Sequence, residues 1–265
     1  MATLALAEVS LHYEERGAGE PVLFLHGLGG SAADWEPQLG YFAPRHRVLA
    51  CDTRGHGQSS KPLGPYSVAG FAKDTAELVR RVIGGPAHVV GLSMGGMIAF
   101  QLAVDAPDLV TTMTIVNSGP ELIPRNLSER LALWMRVAIV KWRGLSKMAD
   151  VLAPRLYPEP DQAALRAKFK ERFLTNDRDA YLATLKALIG WSVTSRIGAI
   201  KAPTLVLASE LDYTPVGRKE EYVRMMPAAK LVEVPDAHHA LPMEDPDTFN
   251  AVLGEFLSVH STTRR

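Results

Sequence analysis

Gly91-Leu92-Ser93-Met94-Gly95 joins an apolar run, Ala87-His88-Val89-Val90, to a stretch with apolar residues at helical spacing: Met97, Ile98, Phe100, Leu102 and Ala103. A serine between glycines at a strand-to-helix corner is pushed out of the fold, and the first amides of the helix aim partial positive charge at the same point. The bland alternative is a serine that only caps the helix. To attack a carbonyl, the hydroxyl needs an imidazole to take its proton and a carboxylate to orient that imidazole. Both types occur further on. The run Thr204–Ala208 leads into Ser209-Glu210-Leu211-Asp212, and Lys230–Val234 leads into Pro235-Asp236-Ala237-His238-His239. Serine, acid, histidine, each just past a strand, is the chain order this constellation takes on parallel sheets. On the residues alone, either acid and either histidine qualifies.

A negative charge developing on the attacked oxygen needs donors. After Val22–Leu25 comes His26-Gly27-Leu28-Gly29-Gly30, whose glycines permit a bend that aims an amide outward. The N–H groups of Leu28 and Met94 are the expected oxyanion donors. A phosphate-binding loop is disfavoured, because neither G-x-x-x-x-G-K-[ST] nor G-x-G-x-x-G occurs at this turn.

Positioning these groups falls to an alternation of short β-type runs and helical patterns. Strands are expected at Leu4–Val9, Leu11–Arg16, Val22–His26, Arg47–Cys51, His88–Gly91 and Val110–Asn117, and helices at Ala33–Tyr41, Val68–Ile83 and Gly95–Asp105. This is the rhythm of a mostly parallel sheet wrapped by helices and started by an antiparallel hairpin, with reactive residues at the carboxyl ends of the strands. The rhythm breaks from about Pro120 to Arg196, which reads as successive helices: Ser128–Ala153 with Ser128 as N-cap, about 161–174, and 178–189. It resumes with the strand from Thr204, a helix at about Val216–Met225, the strand at Lys230–Val234 and a closing helix at Asp247–Val259. Residues 1–119 and 197–265 are thus expected to form one core, with 120–196 inserted as a helical cap. Ser261–Arg265 reads as a frayed tail.

Composition narrows the partners. The 265 residues carry 29 Lys+Arg against 29 Asp+Glu and are 47% hydrophobic, which disfavours nucleic acid and anionic membranes as partners. The N-terminus lacks the basic and long apolar segments of a signal peptide, and no stretch approaches a membrane span. With a single cysteine, Cys51, in a buried-strand pattern, the reading is a cytoplasmic protein with an inert core thiol. Neighbouring histidines with no H-x-x-x-H or cysteine cluster give no metal site. His26 and His56 read as structural hydrogen-bonders, and Asp52 and Arg54 as an ion pair bracing a loop.

Taken together, His26-Gly27-Leu28-Gly29-Gly30, Asp52-Thr53-Arg54-Gly55-His56-Gly57-Gln58-Ser59, Gly91-Leu92-Ser93-Met94-Gly95-Gly96, Pro203-Thr204-Leu205-Val206, Asp212 and His239-Ala240-Leu241-Pro242-Met243-Glu244 span nearly all of the core. In them the chain resembles α/β-hydrolase-fold proteins of the capped, small-molecule esterase and lactonase type. The resemblance implies an eight-stranded, mostly parallel sheet with an inserted helical cap and no cofactor. It places the acid at the end of a Gly-Glu-x-Asp-like segment, which is Asp212, and leaves Glu210 structural. It places the base before a Glu-x-Pro-type turn, which is His239, with His238 standing where the family has glycine. Substrate contacts are expected from Trp134, Met135, Trp142, Trp191 and Leu241. A serine at the elbow argues against the aspartate-based dehalogenase and epoxide hydrolase chemistries of the same fold. It favours a small-molecule ester or lactone cleaved through an acyl-enzyme on Ser93. Three alternatives stay open. One is a 3-oxoadipate enol-lactonase-like enzyme, with Arg130, Arg136 or Arg143 as a clamp for a carboxylate; the others are a cofactor-free haloperoxidase or perhydrolase and a ligand-binding signalling protein.

Overall fold

The computed structural model describes residues 2–261. Apart from Ser261, the expected fraying of the tail lies outside the described residues. Eight strands form one sheet: β1 (Ala2–Ala5), β2 (Ser10–Arg16), β3 (Pro21–Leu25), β4 (Arg47–Cys51), β5 (Ala87–Leu92), β6 (Val110–Val116), β7 (Thr204–Ser209) and β8 (Ala229–Val234). Their spatial order is β1-β2-β4-β3-β5-β6-β7-β8. The pairs β1/β2 and β2/β4 are antiparallel and all others parallel. The first strand ends earlier than the apolar pattern implies. Leu6 N–H donates to the Val9 carbonyl at 2.8 Å, and that turn takes up the residues expected to extend it.

Period-two alternation sorts side chains onto the two faces. In β3, Leu23 and Leu25 join one apolar cluster while Val22 and Phe24 join the other; in β4, Leu49 and Cys51 separate from Val48 and Ala50 in the same way. The first face is covered by α2 (Val68–Leu78) and α3 (Met94–Asp105), with Phe71, Phe100 and Leu102 buried. The second is covered by α1 (Glu36–Phe42), with Leu39 and Phe42. The expected helices here begin and end irregularly: a 3-10 turn at Ala32–Trp35 precedes α1, and Val79–Ile83 after α2 is a π turn.

Between β6 and β7 the chain makes α4 (Leu127–Leu156), α5 (Ala163–Leu174) and α6 (Arg178–Leu188). The N-cap of α4 is Asn126 rather than Ser128: the Asn126 side chain accepts from Glu129 N–H at 2.9 Å, whereas Ser128 Oγ bonds Asn126 Oδ1. Gly144, at φ 76°, breaks α4 into two helical pieces. These helices own a third cluster, including Val140, Met148, Phe173, Tyr181 and Leu185, and Leu28 from the loop after β3 packs against it. The chain closes with α7 (Val216–Val223), the short α8 (Leu241–Glu244) and α9 (Pro246–Val259); Phe249 and Leu253 of α9 complete the second face.

Candidate active site

Ser93 stands between β5 and α3 with φ 52° and ψ −114°, a conformation that side chains rarely adopt. Close approach explains the flanking glycines. A Cβ on Gly91 would stand 2.3 Å from the Gly95 carbonyl carbon, and one on Gly95 would stand 2.1 Å from the Leu25 oxygen. The corner is held from the neighbouring strand: Ser93 N–H donates to Val116 O at 3.0 Å, and Ser118 Oγ donates to Ser93 O at 2.6 Å. Met94 is the first residue of α3, so its N–H belongs to the set at a helix start that has no partner within the helix. Leu28 and Gly27 line the same cavity as Ser93.

Asp212 and His239 arrive on loops after β7 and β8. His239 Nδ1 donates to Asp212 Oδ1 at 2.7 Å, and the carboxylate is fully buried. Burial alone would raise the Asp212 pKa, but His239 and the Lys219 ammonium, 2.7 Å from Oδ2, outweigh it and hold the carboxyl down at about 2. His238 is engaged elsewhere. Its Nδ1 lies 2.6 Å from Glu244 Oε1, and its backbone N–H donates to Glu244 Oε2 at 2.8 Å. Glu210 accepts from Asp236 N–H at 3.0 Å, in a loop-bracing role. The two histidine-bearing carbonyls are pinned by Asn117, whose Nδ2 donates to His239 O at 3.0 Å and His238 O at 3.3 Å while Oδ1 accepts from Ser209 N–H at 2.9 Å.

Tyr213 completes the group. Its ring stacks on His239 with centroids 4.1 Å apart, and its Oη lies 2.6 Å from Nε2. Because Nδ1–H is given to Asp212, Nε2 is the acceptor and the phenol the donor. The Ser93 side chain lies near the same phenol, and both line the cavity. Loss of hydration there pushes the Tyr213 hydroxyl well above the usual phenol range.

The cavity encloses about 460 Å³ between the strand ends and α4–α6. Ser93, His239, Tyr213, Arg136, Leu133 and Phe169 are among its lining residues. The expected contacts from the helical segment are corrected. Trp134, Met135 and Trp142 lie on the outer face of α4, 65%, 45% and 74% exposed, because the buried stripe of that helix runs through Leu133, Arg136 and Val140 instead. Trp191 does not line the cavity; its Nε1 donates to Gln101 Oε1 at 2.7 Å. Leu241 is buried in the second core face. Of the three arginines considered as a clamp, only Arg136 lines the cavity. The Asp52–Arg54 pair is also corrected. Arg54 pairs with Asp74 (Nη2–Oδ1 2.6 Å), and Asp52 accepts from the backbone N–H of Ala32 and Gln58 at 2.6 and 2.7 Å. His26 acts as read, Nδ1 lying 2.7 Å from Gly27 O and Nε2 accepting from Thr53 N–H at 3.1 Å. Cys51 is buried, and burial raises its thiol pKa.

Lys219, Tyr213 and Asn117 were not singled out from the sequence. Lys219 carried a signal: it shares a helical face with Tyr222 and Val223, so a cation stood on the inward stripe of α7. Asn117 and Tyr213 carried none, since their contacts join strand ends that are distant in the chain.

The alpha/beta hydrolase family model matches residues 22–252, and the chain belongs to that family. A putative carbamate hydrolase RutD of Variovorax paradoxus is 33% identical over 262 residues, spanning 94% of this chain and 96% of that one. The 3-oxoadipate enol-lactonase 2 of Acinetobacter baylyi is 28% identical over 253 residues, 94% and 93% of the two chains. Among solved structures, the enol-lactonase from Burkholderia xenovorans LB400 is similar with a TM-score of 0.90 at 25% identity, covering 97% of this chain and 100% of that one. Hydrolysis is the activity class these proteins share. Among the described residues, no helix is long and apolar enough to cross a membrane.

Proposed function

We propose that the protein cleaves a small-molecule carboxylic ester or lactone through an acyl-enzyme on Ser93. In this reading Ser93 Oγ attacks the carbonyl carbon, His239 takes the hydroxyl proton at Nε2, and Asp212 holds the imidazole through Nδ1–H. The N–H groups of Leu28 and Met94 receive the oxyanion, where one donor is worth roughly 2.7–4 kcal/mol. His239 then protonates the leaving alkoxide, and a water activated by the same imidazole releases the acid. The observation that carries the reading is the strained Ser93 corner and the 2.7 Å Asp212–His239 pair opening on one cavity.

A panel of p-nitrophenyl esters, lactones and one carbamate, graded in chain length, tests it alongside Ser93→Ala. Turnover of at least one substrate is expected, with a loss of at least about a thousandfold in Ser93→Ala. Intact-mass detection of an acyl adduct on the wild type alone is the second readout. Retained activity in Ser93→Ala would remove the mechanism. In parallel, His239→Ala should abolish turnover, whereas His238→Ala should leave most of it.

A second reading, a substrate carrying its own carboxylate, is favoured by Arg136. Its Nη2 and Nε donate to Tyr181 Oη at 2.7 and 3.1 Å, and among the described residues no carboxylate pairs with it. A cavity-facing guanidinium without an anionic partner suits a carboxylate of the kind an enol-lactonase substrate offers. Turnover of neutral esters but none of a carboxylate-bearing lactone would remove this second reading and leave the first.

A further inference from the structure

The orienting carboxylate of this site has a second, charged partner. Lys219 is 1% exposed, and its ammonium donates to Asp212 Oδ2 at 2.7 Å, Thr214 O at 2.6 Å and Thr214 Oγ at 2.9 Å, using all three hydrogens. Thr214 Oγ also donates to Asp212 Oδ2. The two carboxylate oxygens thus do different things: Oδ1 faces His239, and Oδ2 faces a fixed cation. Holding an imidazole in its tautomer needs only the first of these contacts. A buried ammonium is strongly unfavourable unless it is paired, so the second contact is not incidental packing.

We propose that Lys219 is a positioning residue that keeps Asp212 anionic and directed at His239, and that its charge lowers the pH at which protonation of His239 stops the reaction. This rests on the reading of Ser93, His239 and Asp212 given above. When His239 gains a proton, the imidazolium meets a carboxylate already half satisfied by Lys219, and it also meets the Lys219 charge itself. Both effects disfavour the protonated resting state. Of the other titratable and charged groups, Tyr213 stacks on the imidazole, while Ser93 before α3 and Arg136 of α4 line the same cavity; the cavity's Arg218, Arg172 and Arg125 are paired with Glu129, Asp34 and Glu221. On its own loop His238 is turned away onto Glu244. None of these places a second carboxylate on His239, so the Asp212–Lys219 pair is the ion pair in direct contact with it. The low-lying Asp212 carboxyl accords with this arrangement.

The experiment is the pH profile of kcat/KM on p-nitrophenyl butyrate for the full chain, with Lys219→Met, Lys219→Arg and Thr214→Val. Lys219→Met should move the acid limb upward by about one pH unit or more, from the loss of a buried charge near the imidazole. Lys219→Arg, which restores the charge, should return the limb toward its wild-type position even where kcat falls. Thr214→Val removes a hydroxyl but no charge, and should leave the limb in place. An unmoved limb in folded Lys219→Met overturns the proposal. So does a Thr214→Val shift as large as that expected for Lys219→Met, which stands as a test even if the lysine variants do not fold. Ser93→Ala run beside them separates the two ideas: its activity loss with an unmoved Lys219→Met limb sinks only the lysine role, and retained activity sinks the underlying mechanism.

Discussion

Ser93, Asn117 and Asp236 are the non-glycine residues with positive φ among those described, and each follows the end of a strand: β5, β6 and β8. Backbone in that region costs of order 1–3 kcal/mol per residue, less for Asn and Asp than for Ser. The strain therefore gathers along one edge of the sheet, at the residue that would attack and beside those that hold the loop of His239. Tyr213 sets the next question at this scale. Its phenol donates to His239 Nε2, the atom that would take the serine proton, so direct transfer needs that hydrogen bond to break. Tyr213→Phe is expected to speed labelling of Ser93 by a fluorophosphonate severalfold, read by intact mass against time. A slowing of about a hundredfold, the usual worth of a proton-transfer partner, would show that the phenol relays the proton instead.

At the scale of elements, the groups proposed to react are placed by strand ends locked to one another. Asn117, after β6, clamps the ends of β7 and the loop following β8 through Ser209, His238 and His239. Asn117→Ala leaves those buried groups short of partners, at about 1–3 kcal/mol each. It is expected to lower kcat more than it raises KM, with the loss of stability measured by urea unfolding; an unchanged kcat would show that the loops hold themselves. Much of this scaffold was legible. Period-two runs in β3 and β4 and the glycine-flanked corner at Ser93 reflect local sterics, which a sequence displays directly. The outward turn of Trp134, Met135 and Trp142 was not, because α4 carries apolar residues on two faces and periodicity alone does not say which one meets the cavity. Lys219–Asp212 and Asn117–His239 were hidden for a different reason: each contact joins segments that only the finished sheet brings together.

Across the whole molecule, buried ionisable groups tie folding to pH. Burial lowers His88 to about 4 and His56 to about 3, so both stay neutral in the folded protein while the unfolded chain protonates them near 6.5. For a group depressed in the fold, stability is full above the unfolded value and is lost as pH falls through it. Urea unfolding is therefore expected to show a loss of about 2 kcal/mol per histidine between about pH 7.5 and about pH 5. Asp212, held at about 2, adds a further loss only below its unfolded value of 3.8. His88→Gln should remove about half of the loss at about pH 5; a flat profile in the wild type would show that these imidazoles reach water. The helical segment and the sheet are also fastened together, through Arg172 to Asp34 at 3.0 Å, Asn176 to Gly29 at 2.8 Å and Gln162 to Glu244 at 2.8 Å. How far the two move as one has an optical consequence in the outward face of α4. Trp134 and Trp142 emit from water, while Trp35 emits from beneath the sheet at 1% exposure. A collisional quencher such as acrylamide silences the first pair and spares Trp35. The same chain, unlabelled, thus carries separate fluorescent reporters for the helices over the cavity and for the sheet below it.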